Sequence, residues 1–496
     1  MKKHMRAFLS ALLTVSVLAS CAALPVRAAD TGAKPDLSPA GFFDGLYDAL
    51  ADAIDRLRLA CRKPGVQETR VERDAFTLLA RGCACTDDGG FRIDSGFSAD
   101  VYGMNRPFHR MTFLYASDEP LQLRVTYKAG FRKITTLYYL EAADDGSFRC
   151  LIEPYLSGGT ARKLVSLAVR TCTGNTADFA LRDIRTERLR KLRDPECFLE
   201  NDRFRLGVKL GWGGGIHYFA DKRTPVEGLG NLINQHDTGR LVQQSYYGTG
   251  PIEGVYDPGV AFDVTWRYNP VQGGDQFGNA GRLIDFEVGE NTVYVKAQPQ
   301  DWARDNGLTP SYAENTYTLC GSFVRVDNRF VDFSGWEHPY VDQELPAFYT
   351  VSFLSRFTRY DGTNPWQDDA LTHRDDLPFW GTYAAACTFP YKTGNTETWC
   401  AWSSPESGFG VGLYVPNVDV LKAGRYAFNG SKDPMDEATN YVAPLNVIRL
   451  TPYCPIEYSY LLTTGSLTQI RETFKENKDF ADNASLHENY ISGRVG

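Results

Sequence analysis

Between Asn231 and Tyr247 the chain crowds planar polar groups, charges and rings into one short stretch: His236, Asp237, Arg240, Gln243, Gln244, Ser245, Tyr246 and Tyr247. Bidentate donors beside flat apolar rings suit sugars, whose hydroxyls take paired hydrogen bonds while their C–H faces rest on an aromatic surface. Read as a strand, the stretch puts Arg240, Val242, Gln244 and Tyr246 on one face, with Leu241, Gln243, Ser245 and Tyr247 on the other. A plainer reading pairs Asp237 with Arg240 across a turn, with His236 as their neighbour.

Two further segments supply carboxylates beside rings. Val341 to Tyr349 holds Glu344 and Tyr349, and Glu397 stands two residues before Trp399. A Gly-rich loop, Asn269 to Gln276, and the loop from Tyr360 to Trp366 add amides and an aromatic. Glycoside hydrolysis needs one carboxylic acid to protonate the leaving oxygen and a second carboxylate to attack or to activate water. The expected acid is Glu344 or Glu397, with Asp237 as partner. Arg240, Gln243, Gln244, Tyr247, Tyr349, Trp366 and Trp399 are expected to position substrate. For Glu397 the commoner case is a surface glutamate flanking core tryptophans.

The same residues allow a polysaccharide lyase, with His236 or Tyr247 as base and Arg240 or Gln244 neutralising a uronate. They also allow a glycan-binding lipoprotein without catalysis. A Ser-His-Asp hydrolase is disfavoured, because no Gly-x-Ser-x-Gly elbow occurs.

The elements that must carry these residues are mainly strands. Phe42, Leu46, Leu50, Ile54 and Leu57 fall at helical spacing and predict an amphipathic helix over 41–61. From 65 to 200 the period is two: Leu121, Leu123, Val125 and Tyr127 alternate with polar residues. Val165, Leu167 and Val169 repeat the pattern, and Phe179 and Leu181 begin another run. This predicts an antiparallel β-sandwich, similar in pattern to jelly-roll modules attached to carbohydrate-active enzymes. The charged segment Thr186 to Glu200 is read as a short helical linker. Residues 203–480 are again strand-dominated, with a closing helix near Leu467 to Lys475, followed by a tail over 481–496. Nothing alternates as βαβ, which excludes Rossmann and TIM-barrel readings. Gly211 to Gly215 lacks the Lys-Ser/Thr of a phosphate loop and is read as a tight turn.

Over most of 205–475 the chain resembles secreted bacterial carbohydrate-active proteins whose sheets form a galactose-mutarotase-like β-super-sandwich. The stretches that carry the resemblance are His236 to Tyr247, Asn269 to Asp275, Glu344 to Tyr349, Glu397 to Tyr414 and Tyr441 to Leu445. It implies a fold class, a large antiparallel β-super-sandwich behind the smaller sandwich with few helices, and a sugar substrate. It lends no catalytic residue.

The chain has 496 residues, 23% of them charged, and a net charge of −8. That balance disfavours nucleic acid and bare anionic membranes as partners. Lys2, Lys3 and Arg6 precede an apolar run from Ala7 to Leu18, the pattern of a secretion leader. Leu18-Ala19-Ser20-Cys21 matches a lipobox that would acylate Cys21, and Val26-Arg27-Ala28 offers an ordinary cleavage site at the end of a leader spanning 1–28. The lipobox is the preferred reading, so the expected location is extracellular or at the cell surface, with membrane contact only through the lipid. A linker and the helix fill 29–64. Ten cysteines besides Cys21 permit disulfides. No cofactor and no zinc site are expected, although Asp-rich loops leave room for a structural calcium ion.

Overall fold

The computed structural model describes residues 39–61, 68–72, 76–85, 91–93, 96–250, 268–382, 385–392, 394–395, 397–483 and 486. The expected leader, its lipobox cysteine Cys21 and the linker before Pro39 lie outside them. The predicted N-terminal helix runs Pro39–Ala60. Among the described residues no helix is long and apolar enough to cross a membrane.

Strands between Glu68 and Glu187 build a six-stranded and a five-stranded antiparallel sheet. Alternation places their side chains as expected in Leu121–Ala129, where Leu121, Leu123, Val125 and Tyr127 are buried and Arg124 and Lys128 exposed. The strand Ala161–Thr171 departs from strict alternation. Register shifts near Ala161 and Leu164 turn Leu164 inward and leave Val165 only half-buried. A shift between Leu181 and Asp183 likewise returns Ile184 to the core. The charged linker corrects the helix prediction: Arg188 to Glu196 is irregular, and Cys197–Glu200 is already a strand.

Strands from Cys197 to Ser466 form the second pair of sheets, of ten and nine strands. The ten-stranded sheet runs Cys197–Glu200, Phe204–Lys209, Gly215–Asp221, Val242–Ser245, Tyr340–Val351, Thr439–Arg449, Val420–Tyr426 and Thr388–Pro390, with two short strands beside this path. The nine-stranded sheet faces its inner side. Its outer side carries the closing helix, Leu467–Asn477, capped by Ser466 and Gln469. The Gly211 to Gly215 segment is the tight turn expected, with Gly213 at φ 58°. A Cβ there would stand 2.0 Å from the Gln272 carbonyl oxygen.

One hydrophobic core cluster runs through both sandwiches. The seam between them is ionic as well as apolar. Asp285, 2% exposed, lies 2.8 Å from Arg110 Nε and 2.9 Å from Arg149 Nε. Arg110 also donates to the Phe286 carbonyl, and the Tyr139 amide donates to the Tyr312 hydroxyl. Removing Asp285 takes away the buried carboxylate that Arg110 and Arg149 share and leaves them only the exposed Glu187 and Glu287. Asp285→Ala is expected to lower unfolding free energy by about 3 kcal/mol in chemical denaturation. An effect within experimental error would show that the seam is held by apolar contact alone.

Candidate functional site

The outer face of the ten-stranded sheet is where chemistry-bearing side chains gather. A register irregularity between Glu344 and Phe348 sets the pattern in Tyr340–Val351. Leu345 and Phe348 point into the main core, while Ala347 belongs to a separate cluster with Tyr441, Ala443 and Leu445, flanked by Tyr349, Trp380 and Val420. Glu344 pairs with Leu445 and Ser245 across neighbouring strands and shares this outer face.

Glu344 is 8% exposed and its carboxylate accepts a hydrogen bond from the Tyr441 hydroxyl. Burial pushes its carboxyl above the ordinary value, against the hydroxyls of Tyr441, Ser245 and Tyr247 and the cation of Lys422, which favour the charged form. Lys422 is 6% exposed, and burial pushes its ammonium down to about 8, opposed by the charges of Glu344, Cys387 and Asp342. An acid shifted up beside a base shifted down is a pairing found at functional sites.

Rings line the next part of the face. Trp380 and Tyr441 stack at 4.8 Å between centroids, Tyr349 lies 4.9 Å from Tyr441, and Phe379 and Tyr426 continue the strip outward. Gly424 makes room for this: a Cβ there would meet the Pro378 carbonyl at 2.7 Å and the Trp380 side chain at 2.9 Å. At the other edge Asp237 lies 3.2 Å from Arg240 Nε and accepts the amide N–H groups of Gly239 and Arg240. Burial pushes the Tyr349 hydroxyl far above its ordinary value, with Glu344 and Asp237 adding to the shift and Arg240 opposing it. The Trp302 ring covers Gly239 beside Asp237.

Thus the structure brings Glu344, Asp237, Arg240, Tyr247 and Tyr349 together. Leu241, at φ 121°, breaks the expected alternation, so Arg240 stays with the outer face while Val242 and Tyr246 point into the core. Gln244 is buried inside, donating to the Glu314 carbonyl and accepting from the Tyr246 hydroxyl. Gln243 is 1% exposed, and its amide is spent on the Thr238 and Arg240 carbonyls and the Gly273 amide. Both glutamines are therefore corrected from substrate contacts to parts of the frame. His236 is exposed and its Nδ1 meets the Met435 carbonyl oxygen at 2.7 Å, so the imidazole is tied to a loop.

Glu397 belongs to the other sheet. Fully enclosed, it accepts from the Trp366 amide, the Trp399 indole and the Arg471 guanidinium of the closing helix. Trp399 is 0% exposed and Trp366 packs half-buried on Tyr414. With its oxygens filled by three donors, Glu397 pins the helix to the sheet. Glu397, Trp399 and Trp366 are corrected from catalytic and sugar-binding roles to that anchor. Sequence reading missed Lys422, Trp380 and Trp302; none stands near Glu344 or Asp237 in a motif.

Two surface clefts lie elsewhere. One of about 420 Å³ crosses the outer nine-stranded sheet, and one of about 480 Å³ adjoins the start of the closing helix. In the first, Arg329 is shared by Glu141, Glu314 and Glu457, and Lys296 also pairs with Glu314. A Ser334–His338–Asp332 constellation also occurs, but the His338 Nδ1 accepts the Thr249 amide. Its Nε2–H therefore faces Asp332 and Ser334, the wrong tautomer for a base acting on serine. Among the described residues no group of three or more His, Cys, Asp or Glu is placed to hold a metal. Cys150, Cys172, Cys197, Cys320, Cys387 and Cys400 are free thiols.

No protein-family model matches the chain, and no curated protein does. Solved structures similar to it include a putative aldose 1-epimerase from Escherichia coli, at 12% identity and TM-score 0.35 over 55% of this chain and 99% of that one. A galactose mutarotase-like protein from Lactobacillus casei matches at 11% and 0.33 over 54% and 100%. A family GH36 α-galactosidase from Geobacillus stearothermophilus matches at 10% and 0.35 over 60% and 42%. At these scores the likeness assigns no residue and no activity to this chain.

Lys422 sets a pH dependence of stability. Its folded value, about 8, lies below the ordinary 10.5, so between these pH values the unfolded chain binds the extra proton. Below pH 8 folding carries the full cost of burying the ammonium; that cost fades as pH rises to 10.5. The site's contribution should therefore rise by about 3 kcal/mol across that window and vanish in Lys422→Met. Equal pH profiles for the two proteins in denaturant titrations would contradict the burial of this charge.

Proposed function

We propose that this protein is a carbohydrate-active enzyme, a glycoside hydrolase acting on an oligo- or polysaccharide laid along the outer face of the ten-stranded sheet. The observation that carries the reading is Glu344, enclosed by hydroxyls and Lys422 at one end of the Tyr349, Tyr441 and Trp380 rings. A carboxyl held protonated longer than usual is suited to donate a proton to the glycosidic oxygen as the bond breaks. Asp237, paired with Arg240, serves as nucleophile or as base toward water, and the rings carry the sugar C–H faces.

One observation favours a second reading. An amine titrating near 8 beside Glu344 suits proton abstraction, so Lys422 replaces His236 as the base of a lyase, with Arg240 neutralising a uronate. The leader pattern supports action outside the cytoplasm, with Cys21 acylated. Labelled palmitate should enter the wild type and not Cys21→Ser; equal labelling of both would remove the lipoprotein reading.

The purified protein is to be tested on a panel of plant, host and microbial glycans, reading reducing ends and the absorbance of unsaturated uronides together. Reducing ends without absorbance are expected, falling at least a hundredfold in Glu344→Gln. Absorbance rising with reducing ends would replace the hydrolase by the lyase. Retention of a glycan without turnover would leave a binding protein. Turnover unchanged by Glu344→Gln would remove this site from the chemistry.

A further inference from the structure

The hairpin joining Leu121–Ala129 to Arg132–Leu140 ends in a two-residue turn, with Gly130 at φ 59° and Phe131 at 109% exposure. Lys128 and Lys133 face each other directly across the hairpin, and Arg132 follows Phe131; all three are exposed. Like charges directly opposite one another destabilise a strand pair. A fully exposed phenylalanine likewise adds nothing to folding. The tip is arranged against its own stability, which points to a partner outside the chain.

The same end of the sandwich carries a second basic stretch. Ala161 pairs with Ala129 beside the tip, and a Cβ on Gly158, three residues earlier, would lie 3.9 Å from Lys191 Nζ. In the linker Arg188–Arg193, Leu189 and Leu192 pack against the core, while Arg188, Arg190, Lys191 and Arg193 are exposed. Nearby acids are largely engaged: Glu187 with Arg110, Asp48 with Arg162 and Asp55 with Lys163, while Glu153 accepts from Thr136. Asp194 and Glu196 close the basic stretch. Among the described residues, none of the seven tip and linker cations has an ion pair.

We propose that this end docks on an anionic lipid surface, with Phe131 entering the headgroup layer and the surrounding cations pairing with lipid phosphates. A convex tip crowned by an apolar ring fits a plane, whereas a polyanionic chain is held in a groove. The sequence reading allowed membrane contact only through a lipid on Cys21, because net charge opposes it. Here local charge overrides the sum, independently of acylation.

The test uses the chain from Ala29, which keeps every described residue, with vesicles of phosphatidylglycerol and phosphatidylcholine or of phosphatidylcholine alone. Binding is expected only to the anionic vesicles and is expected to weaken in high salt. Lys133→Glu turns the repelling pair into an attracting one, so the hairpin is kept while two charge units are lost. Its partitioning should fall about thirtyfold. In Phe131→Trp the added emission should shift to the blue on anionic vesicles. No binding, equal binding to both vesicles, or binding unchanged in Lys133→Glu would each overturn the proposal, as would retention on dextran sulfate without vesicle binding.

Discussion

A sheet packed on one face only has to do something with the other, and here that constraint organises the site. The inner face of the ten-stranded sheet is closed against its partner by Val242, Leu345, Phe348, Val442 and Ile448. On the outer face the same strands bury polar atoms instead: a carboxyl, three hydroxyls and an ammonium around Glu344. Polar groups withdrawn from water without apolar packing as the gain are costly unless each finds a partner. The partners come from four adjacent strands, so the arrangement exists only when the sheet is complete. Glu344 and Lys422 hold their shifted protonation for the same reason, since burial is the largest cause in both.

The rest of the molecule keeps this face in place. Asp285 and its two arginines join the two sandwiches, and Glu397 with Arg471 fixes the closing helix to the opposite sheet. Both are buried acids held by guanidinium groups, two at Asp285 and one at Glu397. The difference from the candidate site lies in the donors. Glu397 has all its acceptor capacity filled by an amide, an indole and a guanidinium, whereas Glu344 accepts from side-chain hydroxyls.

How far the sequence could be read follows from how local each feature is. The strand Leu121–Ala129, the helix Pro39–Ala60 and the turn at Gly213 are written in neighbours, and period or residue type revealed them. Glu344 was legible as a candidate because Tyr349 stands close to it in the chain. Glu397 beside Trp399 carried the same composition, and only Arg471, 74 residues away, makes it an anchor. Gln244 was misassigned because one residue, Leu241, leaves the extended conformation ahead of the strand. Lys422, Trp380 and Tyr441 were invisible as site residues because the register of Thr439–Arg449 and Val420–Tyr426, and no motif, carries them to Glu344.

The central claim is that the outer face of the ten-stranded sheet receives the sugar. The most direct measurement is a crystal structure of the protein soaked with the oligosaccharide that it cleaves or retains. Density along Tyr349, Tyr441 and Trp380, with a sugar oxygen within hydrogen-bond reach of Glu344, is the predicted result. A sugar bound instead in the cleft beside Arg329, or on the N-terminal sandwich alone, would contradict the account.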